Sequence, residues 1–269
     1  MKKNNKANFK WKPFSKKQLK IMTWWNKNSP VKDYDGIIAD GAVRSGKTIA
    51  MAPSFIMWAM DNFDECDFAI CGKTIGSLNR NVINTLKKQL HSLKYRYEHK
   101  RSDNVLIVSK NGKTNYFYLF GGKDESSQDL IQGMTLAGIF FDEVVLMPES
   151  FVTQGLARLS VEGSKFWFNC NPDNPNHWFK LEFVDKIEEK HILYLHFTQD
   201  DNLTLSEKKK EQYIRMFKGV FYKRNILGLW VAAEGLIFQQ ISDNADRFIT
   251  NEVQMNSIIS IGIDWGGNG

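Results

Sequence analysis

Residues 41–48 read Gly-Ala-Val-Arg-Ser-Gly-Lys-Thr: a glycine, four residues, then Gly-Lys-Thr. An apolar run, YDGIIAD (34–40), leads into this stretch, and a strongly apolar segment leaves it from Thr48 to about Met60. A strand entering and a helix leaving a loop of this spacing is the setting in which backbone N–H groups curl around phosphate oxygens. The nucleotide contacts expected here are Gly41, Ala42, Val43, Arg44, Ser45, Gly46, Lys47 and Thr48. Lys47 is placed to reach β and γ phosphates, and the Thr48 hydroxyl to ligate Mg²⁺. A fortuitous glycine-rich turn would share the spacing but not the flanking strand and helix.

Further apolar runs recur along the chain: CDFAIC (66–71), VLIVS (105–109), NYFYLF (115–120), LAGIFFDE (136–143), KFWFNCN (165–171) and HILYLHF (191–197). Asn111-Gly112 marks a hairpin between the second and third of these. Ser15 can cap a helix reaching about Asn26, and 75–93 reads as one amphipathic helix with Leu78, Val82, Leu86 and Leu90 on a single face. Alternating strands and helices predict an α/β fold, a mostly parallel central sheet flanked by helices.

In a parallel sheet the strand ends share one edge, and ligands bind there. Asp142 closes a buried strand, so it falls beside the phosphate loop and can hold Mg²⁺; Glu143 next to it can polarise an attacking water. Strand-end surface acids are the plain alternative. The run FWFNCNPDNPNHWF ends another strand at Asn169–Asn171, where an amide could sense a γ-phosphate. An Asx/Pro turn without function explains the same residues.

Composition narrows the classes. No apolar run approaches the ~20 residues that span a bilayer, so no membrane role is expected. Cys66, Cys71 and Cys170 have no zinc spacing and read as reduced, buried thiols. The net charge of +6 permits contact with a polyanion. The first twenty residues carry lysines and no acid, consistent with a solvated tail or a DNA contact, and the basic stretch 206–224 with a charged helix surface, a lid or a DNA face.

Taken together, GAVRSGKT, IFFDE, FNCNPDNPNHW and the later FYKRNILGLWVAAEGLIF resemble the large terminase subunit of tailed bacteriophages, the motor that packs DNA into a procapsid. The resemblance runs from Phe14 to Asp264. It implies a P-loop NTPase of the additional-strand, catalytic-glutamate type that hydrolyses ATP with Mg²⁺. In it Asp142 and Thr48 hold the metal and Glu143 activates water. Asn169, Asn171 and Pro172 belong to the segment coupling hydrolysis to DNA movement. FSKKQ is similar to the adenine-binding motif, which would put Gln18 at the base. Arg44, three residues before Lys47, is the expected finger on the γ-phosphate in cis. It could instead bind ground-state phosphate or pair with Glu143. Arg158 is the foremost candidate for a finger acting in trans, ahead of Arg80 and Arg101. Ala42 and Val144-Val145 are modest departures from common family patterns and remove no chemical group.

The expected organisation is an ATPase domain over 1–235 including the N-terminal adenine-binding segment, a linker over 236–257, and over 258–269 the first strand of a truncated ribonuclease-H-like nuclease. Asp264 in IGIDWGG would be its first metal ligand, and one aspartate without its partners should not cut DNA. The resemblance further implies double-stranded DNA, a portal on a procapsid and a small terminase subunit as partners. It implies a ring on the portal built from a chain that is monomeric in isolation, acting in the cytoplasm of the infected bacterial host. Two other readings are open: a helicase-like ATPase stacking single strands on Trp24, Trp25 or Trp178, and an ATP-binding switch or assembly module.

Overall fold

The computed structural model describes residues 9–232 and the single position Arg247. The chain divides after Val231 into two units, and the fold below is that of the first. Apart from Arg247, the expected linker (236–257), the nuclease strand (258–269) and Asp264 lie outside the described residues.

Eight strands form one sheet: β1 (Gly36–Gly41), β2 (Asp67–Gly72), β3 (Arg96–Lys100), β4 (Val105–Lys110), β5 (Lys113–Gly121), β6 (Gly138–Asp142), β7 (Lys165–Asn169) and β8 (Ile192–Phe197). Their order is β3-β4-β5-β2-β6-β7-β1-β8. From β5 to β8 every pair is parallel; β3 and β4 add an antiparallel flank. The strand that supplies the phosphate loop, β1, is separated from the acid-bearing β6 by β7, the additional strand that the family resemblance implied. Asn111 and Gly112, at φ 53° and 84°, make the β4–β5 turn.

The α-helices of this unit, among the described residues, are α1 (Lys16–Thr23), α2 (Lys47–Asn62), α3 (Ile75–Leu78), α4 (Asn84–Ser92), α5 (Glu149–Leu156), α6 (Trp178–Glu182), α7 (Glu207–Met216) and α8 (Gly219–Asn225). One face of the sheet packs against Ile21 of α1, Phe55 and Trp58 of α2 and Leu86 and Leu90 of α4. The other packs against Phe151 and Val152 of α5 and Phe179 of α6. Strands buried on both faces have near-continuous apolar sequences, which makes them readable.

Three expectations need correction. The 75–93 segment is not one regular helix: α3 and α4 are joined by a π-helical turn, Asn79–Ile83, in which the Asn84 N–H reaches the Asn79 carbonyl. Strand β3 has no counterpart among the expected strands; its charged residues alternate with half-buried ones at a sheet edge. Trp24 is fully buried against Trp167, and Trp25 is half-buried with its indole N–H on Ser54 Oγ at 3.1 Å, so neither is a platform for a base.

Helix α2 contains Pro53. A proline inside a helix has no N–H for the carbonyl four residues back. That carbonyl, on Ile49, instead accepts from the Gln89 side chain of α4 at 3.0 Å. A defect in the helix behind the phosphate loop is thereby repaired from α4. Among the described residues no helix is long and apolar enough to cross a membrane. The three cysteines are free; Cys71 and Cys170 are buried and Cys66 is half-buried.

Candidate functional site: a phosphate cavity at the strand ends

A cavity of about 480 Å³ opens over the loop and is lined by residues 43–49, Asn81, Thr85, Glu143, Asn169, Asn171 and Asn202. The loop is held from below. Gly41 has φ +123°, and a Cβ there would stand 2.0 Å from the Phe197 carbonyl oxygen, so glycine is required. Ala42 N–H donates to Phe197 O at 2.8 Å and Val43 N–H to Asn225 O at 2.8 Å. Asn202 donates its amide to Arg44 O at 2.6 Å.

Lys47 is buried and donates to the carbonyls of Gly41 (3.0 Å) and Ala42 (2.8 Å), to Ser45 Oγ (3.2 Å) and to Asn171 Oδ1 (3.1 Å). Burial pushes its ammonium down to about 8, against the pull of Asp40, Asp142 and Glu143. Its direct partners are all neutral oxygens, and an arriving phosphate would supply an anionic one.

The register sets Asp142 beside Asn169 at the ends of β6 and β7. The Asn169 amide donates to Asp142 Oδ1 and, at 2.9 Å, to Thr48 Oγ1. Thr48 Oγ1 lies 3.4 Å from Asp142 Oδ1. Burial lifts the Asp142 carboxyl to about 6, and the bonds from Asn169 and Thr48 oppose the rise. Asn169 Oδ1 is buried without a partner. A hydroxyl, a buried carboxylate and an unsatisfied amide oxygen suit a hard divalent cation. Among the described residues no three His, Cys, Asp or Glu are grouped so as to hold a metal ion, so a cation here would rest on few protein ligands and on substrate phosphates, the habit of Mg²⁺.

Glu143 has φ 59°, a left-handed conformation costly for a residue with a side chain, and it opens a 3₁₀ turn, Val144–Leu146. It lines the phosphate cavity and also an adjoining one with Asn171, Pro172 and Asp173. The two asparagines of the FNCNP run therefore have separate places: Asn169 on the acid, Asn171 on the lysine. Arg44 is exposed at the cavity with φ 60°. No ion pair joins it to Glu143 among the described residues.

Gln18 is a buried residue, not a helix-surface one. Its Oε1 accepts from Ser15 N–H at 3.0 Å in a capping box, and its Nε2 donates to Gly46 O at 3.1 Å. With Phe14 and Ile49 it lines a second cavity of about 160 Å³ bordering Gly46, where a base could lie. Arg158 is at the opposite edge of the sheet: its carbonyl accepts from Leu136 N–H before β6 begins, about 20 Å along the strand from Asp142. It does not reach the cavity of its own chain.

A second layer around the loop goes beyond what the sequence reading identifies. Asp40, fully buried beside the loop, bonds His196 Nδ1 (3.0 Å) and the Trp230 indole (2.9 Å). Asp173 pairs with Arg224, whose Nε and Nη2 also donate to Val231 O at 2.9 and 2.7 Å. The sequence does carry one signal of it: HILYLHF reads as a strand, so the polar run after Phe197, with Asn202, has to fall at the same edge as Asp142 and Asn169.

The family model of the terminase large subunit, T4likevirus-type, N-terminal, matches residues 38–242. The chain belongs to this family. The large terminase of a thermophilic bacteriophage is 66% identical, with a TM-score of 0.82 over 84% of this chain and 56% of that one. The same phage protein in complex with ADP gives 64% identity and TM-score 0.81, over 85% of this chain and 56% of that one. In complex with ATP-γ-S it gives 63% and 0.79, over 84% and 55%. The chain thus spans a little over half the length of that terminase. The large terminase ATPase domain of Thermus phage P74-26, at 16% identity and TM-score 0.60 over 83% of this chain and 95% of that one, shares the fold. Among curated proteins the sequence finds no significant match.

Proposed function

We propose that the chain hydrolyses ATP with Mg²⁺ and that hydrolysis drives double-stranded DNA into a viral procapsid. The observation that carries this is the strand-end set: Asp142, Asn169 and Thr48 in mutual contact, with Lys47 on one side and Glu143 on the other. The complexes of the thermophilic phage terminase with ADP and ATP-γ-S support nucleotide binding by this chain.

The loop N–H groups and Lys47 bind the β and γ phosphates, and Gln18 borders the base. Mg²⁺, held by Thr48 and Asp142, would neutralise charge on the phosphate oxygens. Glu143 orients a water for attack and takes its proton, and Arg44 offers a guanidinium to the charge developing on the γ-phosphoryl group. When ATP draws Lys47 toward its phosphates, Asn171 loses its partner. The release passes to Pro172 and Asp173, which makes 169–173 the coupling segment. Arg158, far from its own cavity, stands as a finger for a neighbouring subunit's site in a ring assembled on the portal. A small terminase subunit as partner, a monomer in isolation and action in the host cytoplasm complete the reading.

The test is steady-state ATP turnover with Mg²⁺ by the wild type, Glu143→Gln and Arg44→Ala, with nucleotide binding measured in parallel. Loss of a general base should cost about 10²–10⁴ in rate with binding retained, and loss of a finger about 10³–10⁵. An Arg44→Ala variant of unchanged rate would move the finger to Arg158. A wild type that binds ATP and never hydrolyses it, even with duplex DNA, would refute the motor.

A further inference from the structure

Another polar cavity, of about 230 Å³, shares no residue with the phosphate cavity and is lined by Asn79, Asn84, His99, Arg101 and Asn104. Lys87 stands at its border, its Nζ 3.3 Å from His99 Nδ1. No acid lines the cavity, and among the described residues neither Lys87 nor Arg101 has a carboxylate partner. The surroundings are equally one-sided: residues 73–101 hold eight Lys and Arg and one acid, Glu98, a local excess larger than the +6 of the whole chain. Burial and then the Arg101 charge depress the Lys87 ammonium; burial, Lys87 and Arg101 depress His99. Two cations that repel one another, Lys87 and Arg101, with imidazole and amide donors beside them and no acid facing them, are completed by an anion.

The π-turn builds this cavity. Residues five apart do not share a face of a 3.6-residue helix, but the wide turn, closed from Asn84 N–H to Asn79 O, brings both asparagines to it. The other face of the same helix lines the nucleotide cavity through Asn81 and Thr85, and Gln89 fastens it to α2. We propose that Lys87, His99 and Arg101, with Asn79 and Asn84, grip the phosphodiester backbone of the duplex DNA, where β3 meets the α3–α4 segment whose other face borders the ATP cavity. This rests on the DNA-motor reading above. Contacts of this kind read charge and not sequence.

The experiment is binding of a fluorescein-labelled, arbitrary-sequence duplex of about thirty base pairs to the full chain over a salt series. The wild type is compared with Lys87→Gln/Arg101→Gln and with Lys208→Gln/Lys209→Gln, which removes the same charge from exposed positions of α7. Losing two phosphate contacts should lower the slope of log K against log salt by about 1.8 in the first variant. The α7 variant should stay near the wild-type slope. Melting curves establish that both variants fold. If the wild type binds duplex and the two variants behave alike, the site is wrong and the motor reading stands. If the wild type binds no duplex at low salt, both fall.

Discussion

Replacing Gln18 by alanine separates two roles this side chain fills. In the folded chain it accepts from Ser15 N–H and donates to Gly46 O at 3.0 and 3.1 Å, and it is 4% exposed. Its loss removes half of a capping box, worth about 1 kcal/mol, and strips a partner from the Gly46 carbonyl, about 1 kcal/mol more. The lost methylene adds under ~1 kcal/mol. A destabilisation of about 2–3 kcal/mol should lower the melting temperature of a unit this size by roughly 4–12 °C. The assay is circular-dichroism melting without nucleotide. A residue serving only to read the base would leave the nucleotide-free melt alone and weaken only ATP binding. A shift under ~1 °C would therefore refute the argument that Gln18 clamps the loop.

Three other outcomes follow from the geometry. His196 is raised above its ordinary 6.5 chiefly by its bond to Asp40; this stabilisation is complete below the unfolded value and lost as pH rises through the folded one, so thermal stability should fall on the alkaline side of 6.5, and His196→Gln should flatten that fall in melts across the range. Gly41→Ala should cost more than ~3 kcal/mol by urea denaturation, whereas Gly112→Ala, with open space around it, should cost about 1 kcal/mol. Arg224→Ala should strip protection from the Val231 N–H, which is bonded to Asp173 O at 3.1 Å, by at least about tenfold in hydrogen exchange.

The strands and their polar ends are legible because a sheet covered on both faces demands apolar runs, and a run that stops at Asp142 or Asn169 marks the edge where ligands sit. Capping by Ser15 is legible because it is local. Bonds between distant segments are not: nothing in the order of residues says that Gln18 meets Gly46, or that Asp40 meets Trp230. Strand β3 is hidden by its charges, which an edge strand tolerates. The π-turn does leave a trace. Apolar residues 78, 82, 86 and 90 hold a spacing of four through three steps, which runs ahead of a 3.6-residue turn. One widened turn absorbs the drift and keeps all four on the core side.

The last described stretch of the chain is stitched to the nucleotide machinery at several points. Trp230 is tied to Asp40, Val231 to Arg224 and Asp173, and Gly228 packs so close to Ala42 that a Cβ would lie 2.7 Å from its nitrogen. These ties define a load path. A pull on the backbone at Val231 would be borne first by Asp173 and Asp40, one residue from Pro172 and one from Gly41. Tension would thus reach the phosphate cradle before it strained the hydrophobic core, and the cradle would act as a strain gauge for a pull arriving at Val231.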